Sequence, residues 1–370
     1  MSSDSKEIRL IQDELDRVYQ DLTSASAEPQ TVDLASDRVV IFSDQHRGIR
    51  NGADDFRRCE RAYNAALAYY YHMGYTLVVL GDAEELWEER PGPVIETYRH
   101  TLTMEAKFHR DGRYLRVWGN HDDDWRFPDK VDTYLAPIFG DRPLPVPEGY
   151  LFRIQHQGEA LGELVLVHGH QGSATSDRFA GLSKFFVRYL WRPFQRLTNY
   201  SVNTPAKDWS LRATRDRGMQ RWAASQAAPT IVICGHTHRP VFASQTHADQ
   251  LARELETVRG KLETRPGNKE LLAEMSLLEA EIEWVRAQEN QEPGIEGSAA
   301  RRTPHYFNTG CCSFLDGDVT GFEIAEGAIR LVRWPDNNDR PAPQILRSAP
   351  LAEVYDTLRE DTTAVEADAP

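Results

Sequence analysis

The chain has 370 residues, 40% of them hydrophobic, and a formal net charge of −14 at pH 7. That length predicts one large domain with insertions, or two domains, with ample apolar mass for a core. The acidic balance excludes a general nucleic-acid coat, four cysteines without C-x-x-C spacing exclude a disulfide framework, and no apolar run approaches the ~18 residues that cross a membrane.

The first segment, residues 1–38, opens with Ile8, Ile11, Leu15, Val18 and Leu22 at helical spacing. It lacks the charged start and apolar run of a secretory leader, so an amphipathic helix and a reducing, cytoplasmic setting are expected. From residue 39 short apolar runs each end abruptly in polar residues: RVVIFSD at Asp44, TLVVLGD at Asp82, YLRVWGN at Asn120, ELVLVHG at His168, TIVICGH at His236. Helix-like stretches such as FRRCERAYNAALAYYYHMG lie between the first of these. The alternation predicts an α/β fold with a largely parallel sheet, in which ligands bind beyond the carboxyl ends of the strands. Every polar cluster falls at such an end.

Two segments break the rhythm. Residues 171–228 hold ten Lys and Arg against three Asp, with nine aromatic residues among them. They are expected to form either an amphipathic helical layer or a lid that offers cations to phosphates and rings to a substrate's apolar part. Peripheral contact with anionic lipid is a third use. Residues 245–300 are acidic, with Leu251, Leu255, Val258 and Leu262 before an Arg-Pro-Gly-Asn turn and Leu271, Met275, Leu278, Ile282 and Val285 after it. This predicts an antiparallel helical hairpin, either a self-packed protrusion or a surface for a second copy or a protein partner. Residues 336–370 are acidic and low in large apolar side chains, and are expected to be unstructured or loosely docked.

Six of the twelve histidines lie in the strand-end clusters SDQH (43–46), GDAEE (81–85), GNHD (119–122), VHGH (167–170) and GHTH (235–238). One such cluster would be an ordinary turn, whereas five at successive strand ends are jointly constrained. Imidazole and carboxylate together suit Zn, Fe and Mn. Within WGNHDDDW, Asp123 and Asp124 are expected to be loop residues, and Trp125 to line a mouth or pack in the core.

In order and spacing these motifs resemble the calcineurin-like metallophosphoesterases, over residues 39–243 and again over 303–335, where YFNTGCC is similar to that family's Asn-x-Gly strand. The resemblance implies a four-layer α/β/β/α sandwich, occupying 39–335 with 171–228 and 245–300 as insertions. It also implies two divalent metal ions, with Mn²⁺ favoured and Fe, Zn, Co or Ni as alternatives. Asp44, His46 and His238 would hold one ion; Asn120, His168 and His236 the other; Asp82 would bridge them. His121 would stabilise the transferring phosphoryl group and protonate the leaving oxygen, with Asp122 orienting its ring. Glu85 would stand behind the ligands, and His170 and Gly169 would line the wall. Apart from the resemblance, Arg47 and Arg50, just after the Asp-x-His motif, are expected to guard the mouth, with Arg47 and His170 contacting substrate. The implied reaction is hydrolysis of a phosphate ester or pyrophosphate in a phosphorylated small molecule or lipid-linked substrate, by direct attack of a metal-bridging hydroxide. GDAEELW is similar to the UDP-2,3-diacylglucosamine pyrophosphohydrolases, which however typically carry Arg where this chain has His121. A nuclease or cyclic-nucleotide phosphodiesterase is a further alternative. A non-catalytic scaffold, as in the retromer subunit of this fold, is disfavoured because all seven ligand positions are kept.

Overall fold

The computed structural model of the chain describes residues 3–24, 30–52, 54–172, 209–244, 247–269, 271–276, 278–279, 282, 303–314, 317–336 and 340–367. The chain forms two compact units, one of Met1–Phe242 with His305–Pro370 and the other of Ala243–Pro304.

The first unit contains two six-stranded sheets. Strands β2 (Val39–Phe42), β3 (Thr76–Leu80) and β4 (Tyr114–Val117) are parallel neighbours, and β10 (Val319–Ala325), β11 (Ala328–Trp334) and β12 (Gln344–Pro350) extend that sheet by antiparallel pairing. The second sheet runs β1 (Gln30–Asp33), β5 (Gly149–His156), β6 (Glu159–Val167), β7 (Thr230–Cys234), β9 (Tyr306–Thr309) and β8 (Pro240–Val241). Among the described residues β2, β3 and β4 pair in parallel, as do β6 and β7, while five of the ten strand pairings are antiparallel, so each sheet as a whole is mixed. The difference arises at hairpins such as β10–β11, whose two-residue connection Glu326-Gly327 has positive φ at both positions.

The buried runs VVIF of β2 and LVVL of β3 need cover on both faces. On one side they pack with α2 (Phe56–His72), α3 (Pro91–Thr97) and α4 (Arg99–Arg110) in a core holding Phe42, Phe56, Tyr63, Val79 and Leu102. After β4 the chain makes a 3₁₀ turn (Asp123–Arg126), α5 (Pro128–Tyr134) and α6 (Ala136–Phe139).

A second core takes in the first segment and the end of the basic one. Helix α1 (Ser3–Ser24) places Ile11, Leu15 and Val18 against Met219, Trp222 and Ala223 of α7 (Trp209–Ala224), over Leu151, Val165 and Val232 of the second sheet. Trp222 Nε1 donates to Asp16 at 2.8 Å. Residues 1–38 are therefore part of the main unit, and the end of the basic segment is a packed outer layer instead of a lid. The lid and lipid expectations otherwise fall on residues 173–208, outside the described residues.

The tail is corrected as well. Strand β12 pairs along β11, and α9 (Leu351–Ala367) buries Leu351, Val354, Tyr355 and Leu358, with Tyr355 Oη donating to the Glu163 carbonyl at 2.9 Å. Spacing of i, i+3, i+4 and i+7 gives those residues one helical face that overall composition hides.

The second unit contains α8 (His247–Thr264), a turn at 265–268, and helical residues at 269, 271–276, 278–279 and 282. Arg259 pairs with Glu279 at 2.8 Å.

Candidate metal centre

The five polar clusters follow β2, β3 and β4 in one sheet and β6 and β7 in the other, so the site collects carboxyl ends of both sheets. Main-chain bonds knit the clusters: Asp44 N to Gly81 O (3.1 Å), His46 N to Asp82 O (2.9 Å), Leu86 N to His121 O (3.1 Å) and Gly235 N to His168 O (2.9 Å). Two glycines allow the closest approaches. A Cβ at Gly119 would lie 2.2 Å from Asp82 Oδ1, and one at Gly235 would lie 2.2 Å from Asp44 Oδ2. Asp44, His46, Asp82, His236 and His238 all have φ between 49° and 68°. This left-handed backbone disfavours non-glycine residues by about 1–2 kcal/mol each, and such outliers cluster at functional sites.

The side chains converge. Asp44 Oδ1 lies 3.1 Å from His238 Nε2 and 3.8 Å from His46 Nε2. Asp82 Oδ2 lies 3.1 Å from His168 Nε2 and 3.7 Å from His46 Nε2. Ligand-capable atoms of Asp44, His46 and His238 lie within 4.8 Å of one another, as do those of Asp82, His168 and His236. A third group, His46, Asp82 and His121, overlaps both neighbourhoods, so Asp82 and His46 stand between the two triads.

Whether these residues fit metal ions is tested by what they lack. Asn120 Oδ1, His168 Nε2 and His236 Nε2 are buried with no hydrogen-bond partner. His168 Nε2 is near Asp82 but outside hydrogen-bond geometry. Each buried unpaired polar group costs roughly 1–3 kcal/mol, and a cation would satisfy all three at once. The ionisation pattern agrees. Burial alone would lower His168 and His238, but Asp82 and Asp44 outweigh it, raising His168 to about 9 and His238 to about 10. Asp44 and Asp82 are held low despite burial, because the surrounding histidines favour the carboxylates. Protons here occupy positions that metal ions take at a site of this composition.

Other expected residues are placed differently. His121 Nδ1 bonds Glu85 Oε2 at 2.7 Å, and His46 Nδ1 bonds the same oxygen at 3.1 Å. The ring is thus steadied by Glu85, not by Asp122. Asp122 instead accepts main-chain N–H bonds from Gly119 (2.6 Å), Asp82 (3.3 Å) and Ala83 (2.9 Å), and burial pushes its carboxyl up to about 7. Arg47 is fully buried, 3.2 Å from Glu84 and 2.8 Å from Glu105, which removes it from the mouth. His170 is 4% exposed, its ring between those of His168 (5.6 Å) and Trp118 (4.9 Å). Trp125 is core, donating Nε1–H to Glu84 at 2.8 Å, and Asp124 pairs with Lys130 at 2.8 Å.

Several supporting residues escaped the motifs. Arg116 of β4 is fully buried, bonds Glu84 and lies 3.5 Å from Asp122. A lone Arg inside the apolar run YLRVW was a usable signal, since a buried guanidinium requires carboxylate partners. Asn308 Nδ2 donates to the Gly235 carbonyl at 2.6 Å, tying β9 to the loop of His236.

No family model matches the chain, and no curated protein matches it in sequence. Among solved structures it is similar to vacuolar protein sorting 29 from Cryptosporidium parvum, with 11% identity over 85% of this chain and 98% of that one at a TM-score of 0.33. A single mutant of Vps29 from Entamoeba histolytica gives 10%, 84%, 98% and 0.30. A dimetal phosphatase from Danio rerio gives 11%, 84%, 99% and 0.34. At these scores the assignment of the site rests on its own side chains.

Proposed function

We propose that this chain is a hydrolase of phosphate esters or pyrophosphates that works with two divalent metal ions. The observation that carries the reading is the meeting of two carboxylate–histidine triads at which three buried atoms, Asn120 Oδ1, His168 Nε2 and His236 Nε2, accept or donate no hydrogen bond. Asp44, His46 and His238 would hold one ion and Asn120, His168 and His236 the other, with Asp82 between them. Ions so held supply Lewis acidity to a phosphoryl oxygen and lower the pKa of a water. The mixed imidazole and carboxylate set suits Mn, Fe, Zn, Co or Ni.

The chain's own part is positioning and proton transfer. Glu85 holds His121 Nδ1, which leaves Nε2 free to bind a phosphoryl oxygen and to give a proton to the leaving oxygen. The four-layer arrangement is supported by α2 and α4 on one sheet, α1 and α7 on the other, and Phe307 of β9 meeting Phe322 of β10 with ring centroids 5.6 Å apart.

Purified protein given Mn²⁺, Fe²⁺, Zn²⁺, Co²⁺ or Ni²⁺ should hydrolyse bis-p-nitrophenyl phosphate or p-nitrophenyl phosphate. Metal analysis on the same sample should approach two ions per chain. Absence of turnover with all five metals would sink the proposal.

A further inference from the structure

We propose that Trp87 is a positioning residue that fixes the plane of the His121 imidazole and anchors the adjoining Asn120. This rests on the metal-dependent hydrolase reading above.

Three consecutive residues hold the 120–121 segment. Glu85 bonds His121 Nδ1 at 2.7 Å, Leu86 N–H donates to the His121 carbonyl at 3.1 Å, and Trp87 Nε1–H donates to the Asn120 carbonyl. One hydrogen bond to Nδ1 fixes a point on the ring and leaves its plane free to turn. The indole supplies the missing constraint: its ring lies over the imidazole with centroids 4.6 Å apart and planes 15° from parallel. His46 meets the ring edge-on at 4.7 Å and 84° from another side.

Among the described residues, the other aromatic ring pairs are edge-on or tilted instead of stacked. Neighbouring core contacts such as Phe42–Tyr63, Phe56–Tyr98 and Tyr71–Phe108 are edge-on, one of the two common packings of aromatic rings. Trp87 is also only partly buried, so filling the core does not account for it. By contacting Asn120 through its N–H and His121 through its face, one side chain sets the spacing between a candidate metal ligand and the proton donor.

The test combines structure and rate. In the metal-free protein, the His121 ring protons are identified in NMR spectra by their loss in His121→Ala. In wild type the stacked indole should shift them upfield, and Trp87→Leu should move them downfield. With metal loaded, Trp87→Leu should lower kcat about 10- to 100-fold, part of the usual general-acid contribution. KM and metal stoichiometry should stay near wild type. Trp87→Phe, which keeps an aromatic face, should recover most of kcat and also serves if the Leu variant folds poorly. In a His121→Ala background the Trp87→Leu loss should vanish, because the two residues act as one unit. Unshifted ring protons, or an equal loss in both backgrounds, would overturn the proposal. If wild type hydrolyses nothing, the functional reading fails, while the NMR comparison still decides whether Trp87 holds the ring.

Discussion

His121 and Asp122 are adjacent in sequence yet answer to different partners, and substitutions should separate them. His121→Ala removes a group that coordinates no ion in the proposed arrangement, so metal content should stay near two per chain while turnover falls by about 10²–10⁴. Loss of metal in that variant would make His121 a ligand. Asp122→Ala strands the main-chain N–H groups of Gly119, Asp82 and Ala83. At roughly 1–3 kcal/mol for each group left unpaired, it should lower the urea midpoint first and turnover through it. The convergence of Asp44, His46, Asp82, His168, His236 and His238 was legible in the sequence because each lies in a short motif that follows an apolar run. The partner of His121 was not, because Glu85 reaches it across 36 residues and only the packed loops decide between two nearby carboxylates.

At the scale of elements, Arg47, Glu84 and Asp122 of the loops after β2, β3 and β4 share a fully buried charge cluster with Arg116 of β4 and Glu105 of α4. Arg47→Ala should destabilise the fold by about 3–5 kcal/mol, the usual result of leaving buried carboxylates uncompensated. Denaturant unfolding checks this, and a variant of unchanged stability with a raised KM would restore the mouth role first expected for Arg47. Its sequence neighbourhood, three residues past Asp44, gave no hint of burial. The tail shows the opposite lesson: Leu351, Val354, Tyr355 and Leu358 were visible at helical spacing but were outweighed by acidic composition. Truncation after residue 335 should expose their receiving surface together with the edge of β11, giving an aggregating or strongly destabilised chain. A truncated protein that is monomeric and melts like wild type would contradict that.

For the molecule as a whole, metal ions at the proposed centre would compete with protons for the same nitrogens. In the metal-free chain His168 and His238 are raised to about 9 and about 10. A raised histidine contributes stability that is full below its unfolded value near 6.5 and lost as pH rises through the folded value. The metal-free protein should therefore lose melting temperature between about pH 7 and pH 10. Metal affinity should move oppositely, strengthening about tenfold per pH unit for each proton displaced over that range. Titration calorimetry in buffers of different ionisation heat counts the released protons, and pH-independent affinity would argue against histidine ligation. The mixed sheets matter at this scale because the site residues that follow β2, β3 and β4 meet those that follow β6 and β7 only when both sheets are assembled.

The left-handed backbone at Asp44, His46, Asp82, His236 and His238 has a consequence for how the site can be edited. Alanine is normally the gentler replacement and glycine the harsher, since glycine gains more freedom on unfolding. At these positions alanine inherits the steric conflict of a Cβ at positive φ, whereas glycine removes it. In metal-free protein, His46→Gly and His236→Gly should thus melt higher than the corresponding alanine variants. A ligand scan made only with alanine would mistake backbone strain for lost coordination, and paired glycine variants would tell the two apart.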